Sequence, residues 1–363
     1  MGSLFEQQSL LVIWVIFLVA GLATWFTGIT LAKVTDTLDT RWKIGDALGG
    51  LVLLGIAGSL PEIAVVWSAA VNHHFPVIIG NLIGGLSIQT LIIVIFDLAV
   101  KGKRPLSFHA GSRLLLFETL FAVVITALAL GGMFIPKETT IFQMNPASIA
   151  IVLVWFGGLF MINKARTNPV NVASADEQAL EREKERKPGR HHRHRRAVEN
   201  HPFYVGKSTL YVILIFVFAC VVTLIAGVLL EETGNAIADK MNIGSGLFAA
   251  TVISLITSLP EISTGLESIF MGDHHLAISD IMGGNAFMLV IFIMADLVAK
   301  QPVLSFSQHT DMLLTVLAIV MMGVYMFSFV RPPQIRYLRL GWDSFCQIIL
   351  YIAGMFGFTM INK

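Results

Sequence analysis

Charged residues are scarce in this chain. Only 13% of its 363 residues are Asp, Glu, Lys or Arg, while 55% are hydrophobic, and the mean hydropathy is +0.75. Because soluble proteins average about 25% charged residues, the composition excludes an ordinary soluble protein and predicts a polytopic protein whose main partner is the lipid bilayer. The net charge of +1 supplies no basic surface, so no nucleic-acid partner is expected.

Cysteine is also sparse. The two cysteines, Cys220 and Cys346, fall within apolar runs, which favours small buried residues over a disulfide framework.

The first eight positions carry no basic residue, so the first apolar run is not expected to be a signal peptide. No apolar run holds a nucleophile beside a histidine, so an enzyme is not predicted.

Ten hydrophobic runs are each near the length that a bilayer requires, about 20 residues. They lie at 9–32, 45–70, 76–100, 112–132, 147–163, 208–230, 243–270, 276–299, 311–329 and 343–361. A charged stretch separates the first five from the last five, which divides the chain into a first repeat (1–163), a linker (164–207) and a second repeat (208–363). We therefore predict an all-α polytopic membrane protein with ten transmembrane helices.

The linker is predicted to be a solvated tether with a short amphipathic helix at 176–187. Its histidine cluster, 191–196, is interpreted as part of a basic tether near anionic headgroups; a metal-binding or pH-sensing role is the alternative. A cytoplasmic linker puts 21 of the 25 Lys and Arg on the cytoplasmic side, in keeping with the positive-inside rule. Both termini are then external, and the cell membrane is the expected location.

One short motif occurs twice. Gly58–Glu62 reads Gly-Ser-Leu-Pro-Glu, and Thr257–Glu261, 199 residues later, reads Thr-Ser-Leu-Pro-Glu. The same shift pairs Gly84-Gly85 with Gly283-Gly284, without gaps over about seventy residues, as a repeat architecture requires. Five helices per half give the halves opposite topology, so the sequence predicts two inverted five-helix repeats, as in many secondary transporters.

The motif combines two groups that are unfavourable inside a membrane helix. Proline removes a backbone donor, and an ionisable group at membrane depth costs about 2.5 kcal/mol or more. Inverted repeats would bring Glu62 and Glu261 together near the midplane, where two carboxylates require a divalent cation, two monovalent cations or protons. The hydroxyls of Ser59 and Ser258 and the carbonyls freed by proline are candidate additional oxygen ligands. Pairing with a buried base is disfavoured, because no Lys or Arg lies inside a predicted span.

The helix after each motif offers further candidates. Asn81 and Asp280 match across the repeat and lie on the same face as the glycine pairs, so they either line the ion path or cap the start of their helices. Gln89 lies on that face too, and its counterpart is Met288.

Polar residues near the ends of the spans receive structural interpretations. Asp97 and Asp296 are expected to pair with Lys101 and Lys300, four residues further on. Glu118 is expected to extend its carboxylate to the interface.

Each motif helix is followed by a turn that contains two histidines, 73–74 in the first half and 274–275 in the second. They are interpreted as loop residues, with an effect of pH on gating as the alternative.

The doubled motif, followed in each half by a glycine-rich helix, resembles the cation/calcium exchanger superfamily, and within it the prokaryotic sodium/calcium exchangers. The resemblance covers nearly the whole chain. It implies that Glu62 and Glu261 bind Ca²⁺ and exchange it for Na⁺, that Gly58 and Thr257 join the motif serines, and that Asn285 retains one of the family's asparagines.

The chain also departs from that pattern. Glycines 85 and 284 stand where the family has serine, and the later Asn/Asp positions are Gln89 and Met288. The predicted function is therefore a secondary-active cation antiporter that exchanges Na⁺ and Ca²⁺ by alternating access, with a cation/proton antiporter of the same fold as the alternative and a passive cation channel as a weaker one. The ions are transported substrates, and no resident cofactor is expected.

Overall fold

The computed structural model describes residues 5, 8–42, 56–102, 104–167, 204 and 206–361. Over these residues the regular elements are helices, as the all-α prediction requires. In chain order they are α1 (Leu10–Trp42), α2 (Leu60–Val71), α3 (Phe75–Ala99), α4 (Leu106–Ala110), α5 (Arg113–Met133), α6 (Pro146–Thr167), α7 (Thr209–Lys240), α8 (Ser245–Thr257), α9 (Leu259–Met271), α10 (His274–Met288), α11 (Ile291–Ala299), α12 (His309–Val330) and α13 (Trp342–Ile361), with a 3₁₀ turn at Val303–Phe306.

Seven helical segments in the described part are long and apolar enough to cross a membrane, or eight when the bent pair α8–α9 counts as one span. The other two predicted spans correspond to shorter apolar helices, Leu60–Val71 and Pro146–Met161. The first of these lacks its N-terminal part here, because residues 45–55 lie outside the described ones, as does most of the predicted linker. The chain is thus a multi-pass membrane protein, and the number ten stays a prediction.

Helices α1 and α7 continue about ten residues beyond their predicted ends. They contain 33 and 32 residues, so each is about 50 Å long, well beyond the hydrocarbon thickness of about 30 Å. The prediction ended both spans at the first charged residues, but the extra turns pack on a partner. Val34 and Leu38 at the end of α1 form a buried cluster with Val212 of α7.

Helices α1 and α7 run antiparallel along one another. Thr223 of α7 donates a hydrogen bond to Thr27 of α1 at 2.6 Å, and Arg41 at the end of α1 reaches Thr209 at the start of α7 at 3.0 Å. The equivalent helices of the two sequence repeats therefore cross the protein in opposite directions.

The innermost of the candidate spans is α3, of which 89% is buried, against 28% for α1 and for α7. Its apolar residues need no polar face because protein surrounds them on all sides. The helix after the first motif is therefore the centre around which the described helices pack.

Asp97 and Asp296 stabilise matching chain reversals in the two halves. Asp97 accepts the backbone N–H groups of Leu106 and Gly341 at 2.7 and 2.8 Å. Asp296 accepts those of Val303 and Asn145 at 2.7 and 2.9 Å.

The expected ion pairs of these aspartates with Lys101 and Lys300 are thus replaced by backbone donors. The carboxylates are buried, and a buried carboxylate is stabilised by fixed N–H groups more than by a mobile lysine at the surface. Asp97 also lies 3.7 Å from the guanidinium of Arg336.

Candidate functional site

Each motif glutamate lies in the first turn of a helix that begins inside the protein. Glu62 follows Pro61 at the start of α2, and Glu261 follows Pro260 at the start of α9. Proline lacks the N–H that would continue a preceding helix, but it fits the first turn of a new one. In the second half the result is a bend of 43° between α8 and α9, which directs a helix N-terminus and its positive dipole into the protein.

The two carboxylates lie close enough for their charges to repel each other. The side chain of Glu62 is fully buried, and neither of its oxygens has a hydrogen-bond partner. Glu261 is partly buried, and its Oε2 also lacks a partner. The hydroxyl of Thr257 lies near the Glu62 carboxylate. Two acids with unpartnered oxygens close to each other have the chemistry to bind cations or protons.

The predicted ligands account for much of the unsatisfied polarity in the described part of the chain. Sixteen buried side-chain nitrogen or oxygen atoms there lack a hydrogen-bond partner, and eight of them belong to predicted site residues. These eight are both carboxylate oxygens of Glu62, one of Glu261, both amide atoms of Asn81, and one atom each of Gln89, Ser258 and Asn285. Because buried polar groups are normally paired, this concentration is typical of a binding site.

The other members of the predicted set have ordinary surroundings. Ser59 is buried as the residue that precedes α2, without a side-chain cap bond. Thr257 donates to the carbonyl of Ser254 at 3.2 Å. Gly58 has open space where a side chain would be.

Helices α3 and α8 make a close backbone contact beside Asn81. Each contains one π-helical turn, Gly80–Gly84 in α3 and Ala249–Ile253 in α8. A Cβ built on Gly84 would overlap the backbone of Ala250. The hydroxyl of Ser254 donates to the carbonyl of Asn81 at 3.0 Å. Irregular turns of this kind are frequent at functional sites, and here they enclose Asn81 completely.

Asp280, the counterpart of Asn81, lies in an open environment. Its side chain is exposed, and its charge lies near enough to Glu261 to act on it. We call this exposed surface around Asp280 the crevice. The hydroxyl of Thr264 is 3.5 Å from the carboxylate of Asp280. Thr264 follows Glu261 by three residues. Gly283 is exposed too, and a Cβ built on it would meet nothing within 4 Å. The crevice therefore approaches the site from the side of α9 and α10.

Gln89 lies close to Gly284, the residue that directly precedes Asn285. A Cβ on Gly284 would be 3.6 Å from Oε1 of Gln89. The amide of Asn285 donates to the hydroxyl of Thr90 at 3.2 Å, and its own oxygen stays unpartnered.

Sequence reasoning missed three hydroxyl residues of this region, Thr90, Ser254 and Thr264. Thr264 follows Glu261 by three residues and therefore shares its helix face, so its position was a usable signal. Ser254 and Thr90 act across helices, and no local pattern indicates such contacts.

Glu118 is buried, with 4% of its surface exposed, and accepts a hydrogen bond from Ser279 at 2.6 Å. The expectation that it extends to the interface was wrong, because a hydroxyl of α10 meets it inside the protein.

The cavity between α1 and α7, with a volume of about 340 Å³, lies outside this site. It is apolar, is lined by residues such as Val19, Val222 and Ile225, and includes neither glutamate. Val19 and Ile225 are more than half exposed, so the cavity faces the hydrocarbon region.

Comparison with known proteins adds a family. The family model described as sodium/calcium exchanger protein matches residues 9–163 and 210–360. The proposed antiporter CaxA of Alkalimonas amylolytica is 23% identical over 252 residues, which is 69% of this chain and 70% of that protein. The inner membrane protein YrbG of Escherichia coli (strain K12) is 23% identical over 244 residues, 67% of this chain and 66% of that protein.

Solved structures share the fold. The H⁺/Ca²⁺ exchanger CAX superposes with a TM-score of 0.63 at 14% identity, covering 95% of this chain and 82% of that one. The sodium-calcium exchanger NCX_Mj, soaked with Na⁺ and Sr²⁺, superposes with a TM-score of 0.56 at 14% identity, covering 96% and 98%. At this identity the likeness concerns the fold alone.

Proposed function

Because the chain belongs to the sodium/calcium exchanger family, we propose that it is a secondary-active antiporter that moves Ca²⁺ in exchange for Na⁺ by alternating access. The observation that supports the proposal is the pair formed by the buried Glu62 and the partly buried Glu261, which have three unpartnered carboxylate oxygens between them. A divalent cation between them would neutralise both charges and receive oxygen ligands of the kind that Ca²⁺ prefers.

The site is formed where two inverted repeats meet. The antiparallel course of α1 and α7 supports this arrangement, as do the matched roles of Asp97 and Asp296. A Cβ on Gly28 of α1 would overlap Pro260 in the second motif. A Cβ on Gly227 of α7 would overlap Ala64, two residues after Glu62. Helices α1 and α7 are thus the elements whose sliding would open and close the site.

The proposed ion set consists of the two glutamates and the predicted residues around them, of which Ser258, Asn81, Gln89 and Asn285 have unpartnered side-chain atoms. We assign Glu62 and Glu261 to the cation and Ser59, Ser258, Gly58, Thr257, Asn81, Asp280, Gln89 and Asn285 to its surroundings.

Two carboxylates balance one divalent cation, two Na⁺ or two protons. We therefore propose a coupling nearer two monovalent ions per divalent ion, and an electrogenic transport current in sealed vesicles would contradict it.

Proton coupling is the second candidate. Glycines 85 and 284 offer no hydroxyl beside the pair, which removes oxygens that a bound Na⁺ would use, whereas a proton needs the carboxylate alone. A pH gradient without Na⁺ would then drive uptake.

The crevice beside Asp280 supports a carrier with access from one side at a time. Asn81, at the equivalent place, is closed off where α3 meets α8.

We place the linker in the cytoplasm, both termini outside and the protein in the cell membrane, on the distribution of Lys and Arg. In that orientation the crevice opens to the cytoplasm.

Reconstituted protein tests the function directly. Uptake of radiolabelled Ca²⁺ is measured under a Na⁺ gradient and, separately, under a pH gradient, for wild type, Glu62→Gln and Glu261→Gln. Glu138→Gln, at an exposed position, is the matched control. We expect each site variant to lose uptake and the control to keep it; unchanged uptake in both site variants would refute the assignment. Uptake under the pH gradient alone would favour proton coupling.

A further inference from the structure

A second acidic cluster lies away from the glutamate pair, where α7 meets the turn between α2 and α3. The carboxylate of Glu231 on α7 is fully buried. It accepts a hydrogen bond from Ser68 at 2.7 Å and lies 2.6 Å from Nδ1 of His74. The next residue, Glu232, accepts from the amide of Asn72 at 3.1 Å.

This cluster is present in one half only. The positions 199 residues before Glu231 and Glu232 are Ala32 and Lys33, and the position 199 after His74 is Asp273. The cluster is therefore absent from the features that the two repeats share.

The charged groups that face His74 are acidic. They are Glu231, Glu232 and Asp239, all on α7, and their negative charges stabilise the protonated His74 ring. Ser68 and Asn72, from α2 and the turn, carry no charge. On the other side of the turn, Phe306 packs 4.4 Å from Phe75, and Lys137 lies 3.9 Å from the Phe306 ring.

The surroundings favour the protonated ring. The hydrogen bond to Glu231 raises the pKa of His74 above its usual 6.5, burial opposes this effect, and the charges of Glu231, Glu232 and Asp239 add to it. The His74 side chain is 30% exposed while Glu231 is 0% exposed. Of these two residues, His74 is therefore the one that can exchange a proton with water.

We propose that His74 and Glu231 form a proton-binding site, separate from the glutamate pair, whose occupancy holds α7 against the α2–α3 turn. With the proton bound, an imidazolium pairs with a buried carboxylate in a charge-assisted hydrogen bond. When the ring releases its proton to water, the carboxylate stays charged and buried without a cation, which weakens the contact between α7 and the turn.

The site connects to the motif helix through α7. Gly227 precedes Glu231 by four residues, so it lies on the same face of α7. At Gly227 there is no space for a Cβ against Ala64. A proton bound at His74 would therefore hold α7 in register with α2, which carries Glu62. The effect on transport rests on the proposed function, whereas the proton-binding site itself does not.

Stability measurements test the site without any transport. The full chain in detergent is unfolded thermally at intervals from about pH 5.5 to about pH 9. A group whose pKa is raised in the folded state stabilises the protein fully below its unfolded pKa and loses that contribution as pH rises through the folded pKa. The Tm of wild type should therefore fall as the pH rises towards about 9. We expect His74→Gln and Glu231→Gln each to remove about half or more of that fall.

His275→Gln is the matched control, because His275 lies in the first turn of α10, just after the second motif helix, where it contacts Ser112. It should retain the wild-type fall. A His74→Gln profile parallel to that of wild type would overturn the proposal.

A transport arm then tests the consequence. In vesicles, the pH dependence of Ca²⁺ uptake should flatten in His74→Gln, while uptake at the optimum stays within about threefold of wild type. An unchanged pH profile of uptake beside a changed stability profile would reject the link to α7 movement and keep the proton site. If wild type shows no uptake under any gradient, the proposed function fails, and the stability result still decides the proton site.

Discussion

Asn81 and Asp280 occupy the same position in the two sequence repeats but lie in opposite environments. Asn81 of α3 is fully buried where that helix meets α8, whereas Asp280 of α10 is exposed beside α9. Equivalent positions of the two sequence repeats thus differ in exposure, which is the asymmetry that the proposed alternating access requires.

This asymmetry predicts a difference in chemical access. In a background without native thiols (Cys220→Ser, Cys346→Ser), we expect Asp280→Cys to react with a water-soluble methanethiosulfonate reagent at least about tenfold faster than Asn81→Cys, because thiolates react only where water reaches them. The reaction is followed by the mass shift of the protein in detergent. Equal rates at the two positions would contradict the crevice.

The close approach of α3 and α8 predicts unequal effects for two equivalent glycines. Gly84→Ala inserts a methyl group into the backbone of Ala250 and should destabilise the protein by about 1–3 kcal/mol. Gly283→Ala, its repeat counterpart, meets open space and should be nearly neutral. Chemical unfolding in detergent compares the two, and similar losses in both variants would show that the contact does not distinguish the halves.

Substitution of Asp296 should reduce the stability of the folded protein, whether or not the protein transports ions. Asp296→Asn preserves the shape but turns an acceptor into a donor that faces the backbone N–H groups of Val303 and Asn145. Leaving one buried donor unpaired should cost about 1–3 kcal/mol. Asp273→Asn is the control, because Asp273 caps α10 and asparagine caps a helix equally well. A stable Asp296→Asn protein would mean that water replaces these bonds.

The contribution of His109 to stability should change with pH in the opposite direction to that of His74. Burial lowers the pKa of His109, the charges of Arg104 and Arg336 lower it further, and Asp97 opposes them. A histidine with a lowered folded pKa binds fewer protons than in the unfolded chain, so its contribution is lost as pH falls through the unfolded value of about 6.5. His109→Gln should reduce the fall in Tm between about pH 7.5 and about pH 5 relative to wild type. A steeper fall in the variant would contradict the assignment.

Local patterns in the sequence were sufficient to recognise a multi-span membrane protein, the sequence repeat and the motif. A proline next to a glutamate inside an apolar run is unfavourable enough to indicate a broken helix with a buried acid, and its recurrence at a shift of 199 residues indicated a shared site. Both glutamates lie at helix starts, with their charges close together. Helices α1 and α7 continue beyond their predicted spans because of packing that hydropathy does not contain: Glu231 and Glu232 of α7 are buried, and Val34 and Leu38 of α1 pack on Val212.

By itself, the sequence determined that this protein crosses the membrane repeatedly and that its halves share a motif, and it predicted a site centred on two acids. Only the tertiary structure decided which of two equivalent residues meets water, which backbone donors hold Asp97 and Asp296, and that His74 contacts Glu231. The reason is physical: each of these contacts joins segments far apart in the chain, and matching sequence positions acquire different environments once the assembled helices are open on one side.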